Sequence, residues 1–214
     1  MPLRGGPAWL TPFRCPKNPA HFSSRIIRKQ GLARPRELAH HGINRVELSR
    51  LVDAGLIERI ARGVYVATDH EFSADLSAAI VATRVPSAVI CLLTALRLHE
   101  LTTQQPHEVW IAVAEKARRP RLDYPRVRVA RFSGPALTEG IEIRRIDGVP
   151  VRVYSAAKTV ADCFKYRDKI GIDVAVEALH DYTRTHRGGA TALAHFARVC
   201  RVTRVMQPYL DSLQ

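Results

Sequence analysis

The sequence predicts an α+β fold: an N-terminal winged helix-turn-helix followed by a mixed domain with a small β-sheet and several helices. Three observations carry this reading. Residues 34–66 read in succession as helix, glycine turn, helix and basic hairpin. Residues 108–154 hold apolar runs of strand type, two of them flanking Asp147-Gly148, a strong hairpin signal. From Ser155 onward, apolar residues recur at helical spacing between glycine stops. The expected divisions are a flexible or disordered arm over residues 1–22, the winged domain over 23–69 and an α+β domain over 70–214.

The arm is Pro-rich and aperiodic. Ser23 to Gln30 reads as an opening helix with Ile26 and Ile27 turned inward. Arg34 to His41 is the first helix of the motif, with Pro35 where no amide hydrogen is needed. Gly42 supplies the left-handed turn. Asn44 to Ala54 is the second helix, with Asn44 as N-cap, Glu47 at capping-box spacing and Ile43 and Leu48 placed as a hydrophobic staple. Leu48, Leu51 and Val52 share a face and should pack on Leu38 and Ile60, which leaves Arg45, Val46, Ser49 and Arg50 outside. Gly55 stops the helix, and Leu56 to Val66 makes two short strands around Arg62-Gly63.

Beyond a short link, Phe72 to Thr83 and Ser87 to Leu98 read as helices. Glu108 to Val113 reads as a half-buried strand, and Arg126 to Phe132 as an alternating one. Ile141 to Ile146 and Val149 to Tyr154 form the hairpin. Ser155 caps a helix to about Asp168, Asp173 caps another to Thr185, and Thr191–Val199 and Thr203–Leu213 follow.

Charge points to a polyanionic partner. The chain carries 33 Lys/Arg against 20 Asp/Glu, a formal net charge of +13. The excess is densest at the start: residues 1–70 hold 12 basic and 5 acidic side chains, residues 71–214 hold 21 and 15. Such a surface attracts phosphate in a salt-dependent manner. The first turn of a recognition helix meets base edges, so Asn44, Arg45, Ser49 and Arg50 are the expected groove contacts, with Arg34 and Arg36 beside them on the first helix. Arg59 and Arg62, on the wing, are expected phosphate or minor-groove contacts. The expected partner is double-stranded DNA.

Other motifs are weaker. Lys158 and Asp162 stand one helical turn apart and can pair with each other, or Lys158 can meet a partner or phosphate at the helix N-terminus. Arg118 and Arg119 lie in a basic loop, read either as solvated or as a second partner contact. Cys15, Cys91, Cys163 and Cys200 lack metal-ligand spacing and read as reduced thiols. We expect no metal, no cofactor and no catalytic residues. The N-terminus lacks signal-peptide architecture and no apolar run reaches the ~20 residues of a bilayer span, so a cytoplasmic location is expected.

Three stretches together resemble the AbiEi antitoxins of type IV toxin–antitoxin systems. They are Gly55 to Tyr65; Ser87 to Ile90 running into Thr94 to Leu101, with Glu100 where the family more often has Gly; and Val153 to Arg167. The resemblance implies a protein that binds inverted repeats upstream of its own operon and represses it, beside a nucleotidyltransferase-like toxin that it counteracts. It implies Asn44–Ala54 as recognition helix, Leu56–Val66 as wing, and an antitoxic C-terminal domain. Direct contact with the toxin and the oligomeric state stay open.

Two other classes compete. A regulator with a ligand- or partner-sensing C-terminal domain would have no toxin gene beside it. A nucleic-acid-processing enzyme would need an acidic-x-Lys strand after the Lys158–Asp162 helix, where only about fifty residues follow, all read as helical.

Overall fold

The computed structural model describes residues 26–27, 31–71 and 73–212. The predicted arm over 1–22, most of the predicted helix 23–30, Phe72 and the final two residues lie outside the described residues; Ile26 and Ile27 are helical.

The architecture is α+β. Its first part runs α1 (Pro35–Ala39), α2 (Arg45–Asp53), β1 (Ile57–Ala61) and β2 (Val64–Ala67). The Asn44 cap and the packing of Ile43 and Leu48 are as read from the sequence; a further bond, at the start of α1, is not. The Glu37 carboxylate accepts from the Arg34 amide at 3.0 Å. Asn44 Oδ1 accepts from the Glu47 amide at 2.9 Å and caps α2. Ile43, Leu48 and Leu51 are buried with Leu38, Ile27 and Ile57 in one cluster. Ala33 bridges the free edge of β2 through reciprocal hydrogen bonds with Tyr65.

Two packing expectations fail. Val52 is 37% exposed, since α2 lays only Leu48 and Leu51 on the core. Ile60 packs against a different cluster, that of the sheet, which also takes in Leu32, Val64 and Val66. A bulge between Arg59 and Ala61 shifts the register of β1 at that point.

The second part has α3 (Leu76–Arg84), β3 (Val89–Ile90), α4 (Leu92–Leu98), β4 (Val109–Ala114), β5 (Val127–Phe132), α5 (Pro135–Thr138), β6 (Ile141–Ile146) and β7 (Val149–Tyr154). Then follow α6 (Ala156–Lys165), α7 (Arg167–Ile170), α8 (Ile172–Thr185), α9 (Ala190–Val199) and α10 (Thr203–Asp211). The strands form one mixed sheet in the order β5-β4-β3-β7-β6. Asp147 and Gly148 both take positive φ, 46° and 79°, as the tight β6–β7 turn requires.

Residues 87–98 correct the predicted helix. Val89 and Ile90 form the central strand, Ile90 facing Ile111 antiparallel and Val153 parallel, and the helix begins only at Leu92. A short apolar run does not by itself distinguish buried strand from buried helix. Strand β4 is also not half-buried: Val109 to Val113 are all buried. Helix α3 and the β1–β2 hairpin cover one face of the sheet, while α6, α8, α9 and α10 supply the cluster on the other. The predicted cap Asp173 lies inside the first turn of α8, with Gly171 (φ 96°) as the residue before the helix.

His99 ties α4 to this sheet. Its Nε2 is 2.7 Å from the Tyr154 carbonyl and its Nδ1 is 2.9 Å from an Arg144 Nη. A carbonyl only accepts and a guanidinium only donates, so the ring is neutral with its proton on Nε2. Burial lowers its pKa, opposed by the Tyr154 carbonyl and aided by Arg144. A histidine lowered in the fold holds its stabilising contribution above its unfolded pKa and loses it as pH falls. Stability is therefore expected to decline below about pH 6.5, and His99→Gln to flatten that decline in urea melts taken between pH 5 and 7.5; an unchanged slope would remove His99 as its source.

Candidate nucleic-acid interface

Helix α2 presents its polar side outward because only Leu48 and Leu51 are drawn into the core. Asn44, Arg45, Val46, Ser49 and Arg50 are all exposed, Val46 at 60%. Arg45 and Ser49 lie one turn apart on this surface, as do Val46 and Arg50. The carbonyl oxygen of Asn44 is engaged as the cap, so its amide nitrogen is the group left to donate. Arg59 and Arg62 are exposed on the hairpin. Arg59 Nε reaches back to the Ala61 carbonyl at 3.4 Å. The Arg62 carbonyl accepts from the Arg84 guanidinium of α3, which holds the tip of the β1–β2 hairpin while leaving the Arg62 side chain outside.

Among the described residues no carboxylate forms an ion pair with Arg45, Arg50, Arg59 or Arg62. Unneutralised guanidiniums are what a phosphate backbone selects. Arg36 is exposed on α1. Arg34 is set apart from the α2 set. It is half-buried and lines a groove of about 890 Å³ with Glu37, Ile143, Arg145 and Arg152, between the motif and the sheet, to which no α2 residue contributes.

Residues 24–68 match the family described as transcriptional regulator, AbiEi antitoxin. Over this segment, and not beyond it, the chain is similar to that family. The AbiEi segment takes in α1, α2, β1 and β2 and ends before α3. No curated protein matches the chain.

Lys158 corrects the expectation of a partner contact. It is fully buried, its Nζ 2.6 and 2.7 Å from the two oxygens of an equally buried Asp162. The same ammonium stands 4.1 Å from the Tyr154 ring centre and 4.9 Å from that of Phe132. Of the two readings the sequence left open, the helical-turn pair is the one the fold adopts. Sequence spacing signalled the pair but not its burial. Burial pushes the Asp162 carboxyl up, against the downward pull of Lys158.

Cys91, Cys163 and Cys200 are buried and free, while Cys15 lies outside the described residues. Burial pushes Cys200 up to about 12, and its thiol donates to Asp162 Oδ1 at 3.1 Å. Thiols held this far from ionisation are poor nucleophiles. Among the described residues no group of three or more His, Cys, Asp or Glu is placed to hold a metal ion, and no helix is long and apolar enough to cross a membrane.

Proposed function

We propose that the chain binds a specific duplex DNA site through α2 and the wing, represses its own toxin–antitoxin operon, and counteracts a nucleotidyltransferase-like toxin. One observation supports this most: the AbiEi segment carries four exposed arginines, at 45, 50, 59 and 62, without a carboxylate partner among the described residues. Arg45, Arg59 and Arg62 position the protein on phosphates, and Arg50, Ser49 and Asn44 supply donors to base edges. Arg36 adds a phosphate contact from α1. The operator is an inverted repeat, and residues 70–214 supply the antitoxic function.

Arg50→Ala is expected to weaken operator binding by about 1–3 kcal/mol. A gel-shift titration at fixed salt reads it, with circular dichroism confirming that the fold is intact. Affinity equal to the parent's would take Arg50 out of the interface. Co-expression with the adjacent reading frame tests the antitoxic part: a neighbour whose toxicity the full chain leaves unrelieved would refute it.

A further inference from the structure

At the edge strand β5, on the side of the sheet away from the β6–β7 hairpin, a pocket of about 430 Å³ opens. Its lining includes Arg119, Arg128, Arg131 and Lys169 and contains no Asp or Glu. Nor does any carboxylate form an ion pair with these four cations among the described residues. Arg131, of opposite parity to Arg128 on β5, spends its guanidinium on main-chain carbonyls, so the like charges that share the concavity are those of Arg119, Arg128 and Lys169; an anion seated among these three relieves their repulsion.

The pocket is built, not incidental. Arg128 pairs across the sheet with Trp110, and its guanidinium lies 4.5 Å from the centre of the buried indole. The Arg131 guanidinium is anchored by the carbonyls of Ala114, Glu115 and Ala117, and Arg119 reaches the Val127 carbonyl at 3.5 Å. Tyr166 donates to the Arg131 carbonyl at 2.6 Å. The ladder bonds of Arg126 and Phe132 turn the even-numbered residues of β5 toward β4. By alternation the main-chain groups of Val129, between the two capped carbonyls, face the free edge and the pocket. Arg128 and Lys169 are exposed, so their charged ends are open to a ligand.

The geometry points to a binding site for a phosphate chain, of the kind a nucleoside triphosphate carries, held by Arg128, Lys169 and Arg119. The volume is that of a small-ligand pocket, and the cations converge on it instead of spreading along a ridge as a duplex backbone requires. Arg119, expected from sequence as a possible partner contact, thereby acquires a specific ligand chemistry, whereas Arg118 does not line the pocket. The site is independent of the DNA reading and belongs to the part of the chain outside the AbiEi segment.

Isothermal titration of the full chain with inorganic triphosphate, and separately with ATP, tests this. Saturable binding is expected for wild type, weakened by about tenfold or more in Arg128→Gln/Lys169→Gln. Equal affinity for the two probes assigns recognition to the phosphate chain alone, whereas tighter ATP binding adds a seat for the nucleoside. In a Trp9→Phe background Trp110 is the sole tryptophan, and its fluorescence is expected to change with the same midpoint but not with sodium chloride of equal ionic strength. No saturable binding, or binding kept in the double variant, overturns the proposal. So does a double variant that loses only affinity for duplex DNA while neither small probe binds. Operator gel shifts with the same variant keep the two readings apart: they are expected to be unchanged.

Discussion

Lys158→Met is expected to cost about 3–5 kcal/mol of folding stability, because it leaves the Asp162 carboxylate buried without its cation. Among the described residues the other hydrogen bond to the carboxylate comes from the Cys200 thiol, a weak donor, and Lys165 offers only a smaller electrostatic pull. The loss depends on pH in a defined direction. Burial already raises Asp162, with Lys158 the largest opposing influence; without Lys158 the carboxyl rises further. A group raised in the fold contributes stability that is present below its unfolded pKa and lost as pH rises through the folded one. The variant should therefore regain stability as pH falls from 7 toward 4, and its deficit against wild type should shrink. Urea melts across that range measure it. Lys158→Met/Asp162→Leu removes both charges and is expected to recover most of the loss. A single variant as stable as wild type at pH 7 would show that the pair is dispensable.

Gly31→Ala carries the second large effect, about 2–5 kcal/mol. Gly31 has φ +72°, a region that costs an L-residue roughly 1–2 kcal/mol. A Cβ there would stand 1.8 Å from the Asp147 carbonyl oxygen, which is main chain and cannot swing aside. Overpacking of this kind adds roughly 1–3 kcal/mol. The clash falls on the seam between the two parts, where Leu32 donates to the same carbonyl at 3.3 Å and the Asp147 carboxylate takes the Ser73 amide and hydroxyl at 3.2 and 2.9 Å. The expected result is a lower melting temperature with the α2 surface intact. A variant melting with wild type would mean that the seam gives way without cost.

The readable parts of this chain were those where a local interaction decides the outcome. Asn44 caps α2 because its side chain and the Glu47 amide lie within one turn of each other. Asp147-Gly148 turns the hairpin because both residues reach positive φ. Leu48 and Leu51 face inward by helical period alone. The candidate DNA contacts of α2 followed as the remainder of that helix.

What local pattern left unread needed a partner distant in sequence. Val89 and Ile90 are a strand because Ile111 and Val153 stand on either side. Ile60 leaves α2 for the sheet cluster. Arg34 turns to a groove whose other wall comes from residues beyond 80. The phosphate pocket joins Trp110, Arg128 and Lys169, side chains that no motif links.

By itself the sequence determined the α+β composition, the caps and turns, the cationic outer face of α2 and the pairing capacity of Lys158 with Asp162, all set within a few residues by backbone geometry and side-chain reach. The tertiary structure alone decided which strands are central, that the Lys158–Asp162 pair is enclosed, and which arginines converge at β5. Burial and convergence of charge depend on long-range packing, which local periodicity does not encode.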